Sequence, residues 1–217
     1  MSKFTIPKHK QRTETTTIEH IKQLAELKEK KAMPKILLLG DSMFERFKHM
    51  TGESIKSWSD HGFDKFNIFN AGIGGDQIQN VLYRLIDQKI LTHLGPSIEK
   101  VLLMIGTNNI ENDKPIQMIE GVKTIIRIIK ETYPSVTIYI LGLPPRKRSK
   151  SKKNDDILEK IKQYNELLKS LPDKYIDTYE LFIDDKNTIN ESLFCDEVHF
   201  NDNGYEIYTN LLDKLFV

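Results

Sequence analysis

Ser42 follows the apolar run Ile36–Leu39 and the pair Gly40-Asp41 in the segment ILLLGDSMF. A serine at such a strand-to-helix junction can simply cap the helix. It can also act as a nucleophile, because the helix N-terminus favours developing negative charge. A nucleophilic serine needs a base, and His199 can supply one. The imidazole in turn needs an orienting acceptor, and Asp196 lies three residues earlier in DEVHF, one helical turn away. Attack on a carbonyl creates an oxyanion that fixed N–H groups must meet. Candidate donors are the Ser42 backbone, a glycine of GIGGD, where a missing side chain admits close approach, and the Asn108 carboxamide in GTNN. Serine, aspartate and histidine in this chain order suit acyl transfer through a covalent intermediate on the serine.

Residues so far apart in sequence meet only if several elements end at one place. The pattern provides such elements. KILLLG reads as a strand buried on both faces, and FNIFN (Phe66–Asn70), VLLMIG from Val101, VTIYILG and YIDTYEL read as four more. Helical spacing runs through DQIQNVLYRLIDQKIL, through PIQMIEGVKTIIRIIKETY with Pro115 near its start, through ILEKIKQYNELLKSL and through NGYEIYTNLLDKLF. Ahead of the first strand, TTTIEHIKQLAELKEKKAM predicts a helix. Thr16 and Glu19 match a capping box, and Ile18, Ile21, Leu24 and Leu27 form the apolar stripe. Strand–helix alternation predicts an α/β fold, three layers α/β/α around a five-stranded parallel sheet in flavodoxin-like order. The expected division is an N-terminal tail and amphipathic helix over residues 1–33, followed by one domain over 34–217. In such sheets, function gathers at the carboxyl ends of the strands, where GDS, NAGIGGD and GTNN all fall.

The bulk numbers agree with one globular domain: 217 residues, 39% apolar and 29% charged. A formal net charge of +1 gives no overall pull toward nucleic acid or anionic membrane, so no nucleic acid is expected as a partner. The single cysteine, Cys195, excludes an internal disulfide and a four-cysteine zinc site. The polar start MSKFTIPKHKQRTE lacks the apolar run of a signal peptide, and no stretch has the length to span a bilayer. The expected location is the cytoplasm.

The segments LLGDSMFERF, NAGIGGDQIQNVLYRL, LLMIGTNNIEN and DEVHFNDNGY together resemble the four sequence blocks of the SGNH (GDSL-type) hydrolases, in the right order from Ile36 to Tyr205. Within that superfamily GDSM, GIGGD…VLYRL, GTNN and LGLPPR look most like the catalytic subunits of intracellular platelet-activating-factor acetylhydrolase. The resemblance implies an SGNH hydrolase fold and a serine esterase for short acyl esters, acetyl above all. It implies Ser42 as nucleophile, His199 as base, Asp196 as its orienting partner, and Ser42, Gly75 and Asn108 as the oxyanion hole. It implies no cofactor and no metal, a small-molecule or lipid ester as substrate, and a homodimer. Carbohydrate O-deacetylase, lysophospholipase and thioesterase are alternatives on the same scaffold. Met43 stands where the family name has leucine, an apolar change.

Other readings compete at several residues. GIGGD matches neither G-x-G-x-x-G nor the lysine-containing P-loop, and Ser42 fails the G-x-S-x-G elbow because residue 44 is Phe. Asp41 as a phosphoacceptor would leave Ser42, Asn108 and His199 without a role. The basic run 146–153 suits RNA or an anionic membrane, while a solvated loop is the plainer expectation. Cys195 reads as a small buried thiol. His9 and His20 read as solvated, and His49, His61 and His93 as surface or core-edge residues.

Overall fold

The computed structural model describes residues 2–47, 67–147 and 157–216. Of the basic run, Arg146 and Lys147 are among them; residues 148–153, like His49 and His61, lie outside the described residues.

The apolar runs form strands β1 (Ile36–Gly40), β2 (Ile68–Gly72), β3 (Lys100–Met104), β4 (Thr137–Leu141) and β5 (Lys174–Ile176). They pair in parallel in the order β2-β1-β3-β4-β5, the flavodoxin-like order expected. β1 is buried along its whole length between two neighbours, which is why its sequence shows no polar alternation. The helices are α1 (Gln11–Glu29), α2 (Ser42–Glu45), α3 (Ile78–Ile86), α4 (Ile90–Leu94), α5 (Pro115–Thr132), α6 (Ile157–Lys169) and α7 (Asp202–Phe216). The crossovers from β2 to β5 all advance in one direction, so right-handedness places α3, α5 and α6 on one face. On the other, Phe44 of α2 stacks against Tyr208 of α7, and the Tyr205 hydroxyl donates to the Met43 carbonyl. None of the helices among the described residues is long and apolar enough to cross a membrane.

Two helices differ from their sequence pattern. α1 starts at Gln11, so Thr16 lies inside it and caps nothing. Its buried stripe is Thr13, Thr17, His20 and Leu24, while Ile18 is exposed. His20 is therefore buried, edge-on to Phe69, and not solvated. The polar stripe is tolerated because its hydroxyls find partners: Thr17 donates to the Thr13 carbonyl at 2.7 Å and Thr13 to Asp76 at 2.5 Å. The helix expected over residues 76–91 splits into α3 and α4, because Lys89 takes left-handed backbone angles (φ 52°).

The sheet order reverses between β2 and β3, on either side of β1. Connections leaving β1 and β3 there diverge and open a crevice at the carboxyl ends. The chain is tight at this point. A Cβ on Gly72 would lie 2.4 Å from the Glu45 backbone nitrogen, so β2 can end against α2 only with glycine there.

Candidate active site

Asp41, not Ser42, caps α2: its Oδ1 accepts from the Met43 N–H at 3.1 Å. The Ser42 hydroxyl is thereby left for other work. It lies 2.9 Å from His199 Nε2, across 157 residues of sequence. His199 Nδ1 lies 2.7 Å from Asp196 Oδ2. An ionised carboxylate only accepts, so Nδ1 carries the proton and Nε2 presents its lone pair to the serine hydroxyl.

Asp196 and His199 do not sit on a helix. Asp196 Oδ1 accepts the backbone N–H groups of Val198 and His199 at 2.8 and 2.7 Å, which folds residues 196–199 into a tight turn. The spacing of three that suggested a helical turn thus comes from an aspartate bonding its own backbone ahead. Burial alone would raise the Asp196 pKa, but these N–H donors and the imidazole together lower it. His199 has its pKa lowered below 6.5, by burial first and then by Arg46 and Arg146, against the opposing pull of Asp196. At neutral pH it is a free base.

The expected oxyanion donors lie on the next two loops. Gly75 follows β2 in left-handed conformation (φ 74°). Asn108 follows β3, and its Nδ2 donates to the carbonyl of Asp76, the residue after Gly75, at 2.9 Å. That bond ties the two loops together and uses one of the two carboxamide N–H groups. Gln77 Nε2 returns a bond to the Asn108 carbonyl at 3.2 Å, and Asn109 Oδ1 accepts from the Ile78 N–H at 3.0 Å.

Beneath these loops lies a network that the spacing of motifs did not announce. Asp76 and Arg84 are both fully buried and 3.1 Å apart. Arg84 also donates to the carbonyls of Ala71 (2.5 Å) and Gly40 (3.1 Å), joining the ends of β2 and β1. Burial pulls the Arg84 pKa down and pushes the Asp76 pKa up, while the charge of each partner opposes that shift in the other. One signal in the sequence could have found the pair: Arg84 lies on the apolar face set by Val81, Leu82 and Leu85, where an arginine needs a buried partner.

Two further arginines contact the site. Arg46, one turn after Ser42, lies 3.6 Å from Asp196 Oδ2 and donates to Cys195 Sγ at 3.4 Å. Cys195 is exposed, not buried, because the turn that carries it lies at the surface. Arg146 is not part of a solvated run either. It is buried, donates to the Thr107 carbonyl at 2.9 Å beside Asn108, and pairs with Glu111. Lys147 pairs with Glu191 at 2.5 Å. A cavity of about 320 Å³ opens beside the Asp196 turn, lined by Arg146, Lys147, Ile189, Glu191, Phe194 and Asp196.

The model of the GDSL-like lipase/acylhydrolase family matches residues 38–207. The chain belongs to that family. It is 28% identical over 203 residues to the rat platelet-activating factor acetylhydrolase IB subunit alpha1, covering 91% of this chain and 81% of that protein. Solved structures share the fold. A GDSL-like lipase from Bacteroides thetaiotaomicron superposes with a TM-score of 0.73 at 16% identity, covering 92% of this chain and 96% of its own. An acetyl-xylooligosaccharide esterase from Geobacillus gives 0.64 at 16% identity, covering 84% and 94%. Ser42, Gly75, Asn108, Asp196 and His199 all fall inside the matched region.

Proposed function

We propose that this chain is a serine esterase acting on short acyl esters, acetyl esters first, through an acyl-enzyme on Ser42. The observation that carries the proposal is the continuous hydrogen-bonded line Ser42–His199–Asp196, at 2.9 and 2.7 Å. Ser42 Oγ attacks the ester carbonyl as its proton passes to His199 Nε2. The N–H groups of Ser42 and Gly75 and the Asn108 carboxamide receive the negative oxygen. On collapse, His199 returns the proton to the departing alkoxide. Water then attacks the acyl-enzyme, with the same imidazole as base, and the acid leaves. Asp196 keeps Nδ1 protonated throughout. The acetyl preference is supported by the names of the rat subunit and the Geobacillus esterase, both of which refer to acetyl groups. The alcohol half is assigned to the cavity beside the Asp196 turn, and the compartment to the cytoplasm.

Hydrolysis of p-nitrophenyl esters from acetyl to dodecanoyl tests this in the wild type and Ser42→Ala. Turnover should peak at acetyl or propionyl and fall by about 10⁴-fold or more in the variant. A peak at long chains would move the substrate to lipids with the mechanism intact. Equal rates in both proteins would overturn the reading.

A further inference from the structure

The peptide unit joining Gly74 and Gly75 is held by a residue outside the family-matched region. Lys10 Nζ donates to the Gly74 carbonyl at 3.1 Å, and a Cβ on Gly75 would stand 2.8 Å from the same nitrogen. A peptide unit is planar and trans, so its C=O and N–H point in opposite directions. Anchoring the Gly74 oxygen therefore aims the Gly75 N–H away from Lys10. Hydrogen bonds in series polarise one another, so a cation on the carbonyl also makes the N–H at the other end a stronger donor.

Lys10 is firmly placed. It precedes the first turn of α1, and Thr13 of that turn donates to Asp76 Oδ1 at 2.5 Å. The same carboxylate oxygen lies 4.0 Å from Lys10 Nζ. Arg12 pairs with Glu45 of α2 at 2.8 Å. The Lys8 N–H donates to the Gln79 carbonyl at 3.0 Å, and its own carbonyl accepts from Asn80 Nδ2 at 2.8 Å. Residues 8–13 thus strap the turn between β2 and α3 to the start of α1.

We propose that Lys10 is a positioning residue for the oxyanion hole: it holds the Gly74 carbonyl and so orients and polarises the Gly75 N–H that meets the developing oxyanion. This rests on the esterase reading above. Lys10 alone of the N-terminal segment then acts on the oxyanion hole, through the Gly74 carbonyl.

The test is steady-state hydrolysis of p-nitrophenyl acetate by wild type, Lys10→Met, Lys10→Arg, Arg12→Met and Ser42→Ala, with thermal unfolding of each. An interaction made only in the transition state lowers kcat and kcat/KM together. Lys10→Met should lower both by about tenfold, less than the loss of a whole oxyanion donor. Lys10→Arg, which can still donate to the carbonyl, should recover at least part of the loss. Arg12→Met loosens the same strap without touching the carbonyl, and should slow turnover less than twofold. A folded Lys10→Met enzyme with wild-type kcat would overturn the proposal. So would Lys10→Arg as slow as Lys10→Met, or Arg12→Met as slow as both. If Ser42→Ala retains full rate, the esterase reading itself has failed, and that outcome is separate from all of these.

Discussion

Two regions flank the Ser42 helix, and they are built in opposite ways. The glycine turn after β2 stands on Asp76 and Arg84, both at 0% exposure, with Thr13 from α1 closing the carboxylate. The turn that carries Asp196 and His199 is mostly at the surface, with the Asp196 side chain 37% exposed. The first region is assembled from four separate stretches of chain, 10–13, 40–41, 71–76 and 84. The second is shaped by one aspartate bonding to the backbone two and three residues ahead. The Gly75 turn therefore depends on long-range burial, and the Asp196–His199 turn on local geometry plus one contact from Arg46. Loss of the buried ion pair in the first should register as stability, and loss of the Arg46 contact in the second as a shift in the pH dependence of turnover.

The largest effect is expected from Arg84→Met. It strands the Asp76 carboxylate and removes donors from the Ala71 and Gly40 carbonyls, so unfolding in denaturant should show a loss of about 3–5 kcal/mol. A loss under about 1 kcal/mol would mean that the buried pair does not hold this region.

Asp41 offers a test within the same buried region. It is fully buried, its Oδ2 has no hydrogen-bond partner, and its pKa is pushed up to about 7. Burial is the main cause. The Met43 N–H, Arg146 and Arg84 oppose it, and Asp76 adds to it. Because the folded pKa lies above the ordinary 3.8, the native state keeps a proton that the unfolded chain has lost. That stabilisation is full below about pH 4 and gone above about pH 7. The gap corresponds to at most about 4 kcal/mol. Asp41→Asn keeps a cap for Met43 and does not titrate, so its unfolding free energy relative to the wild type should rise between pH 5 and pH 8. A pH-independent difference would show that Asp41 is ionised throughout.

The smallest expected change is in Arg46→Gln. Stability should stay within about 0.5 kcal/mol, as for other partly exposed substitutions. Losing the cation removes one influence that lowers the His199 pKa, so the acid limb of the kcat/KM profile should move to higher pH. A shift to lower pH, or unfolding on the scale of Arg84→Met, would erase the contrast between the two regions.

Much of this arrangement is legible in the sequence. Strands buried on both faces are continuous apolar runs, and the fully buried β1 is the plainest of them, so the sheet and its helices could be read directly. Ser42, Asp196, His199 and Asn108 carry chemistry that their residue types advertise. α1 is less legible, because three of its four buried residues are threonine or histidine while Ile18 is exposed. A periodicity count weighs only apolar residues and rotates such a helix by mistake. Cys195 and Arg146 depart from what their residue types suggest: the thiol is exposed because its turn lies at the surface, and the arginine is buried because Thr107 and Glu111, distant in sequence, receive it.

The sequence by itself determined the strand–helix alternation and named the candidate groups Ser42, Asp196 and His199, since these follow from local periodicity and side-chain chemistry. Only the tertiary structure decided that Asp41 caps α2 and leaves Ser42 free, that Arg84 joins the ends of β1 and β2, and that Lys10 holds the peptide before Gly75. Each of these depends on polar groups that meet across the fold in a setting where water does not compete. No local pattern records that condition.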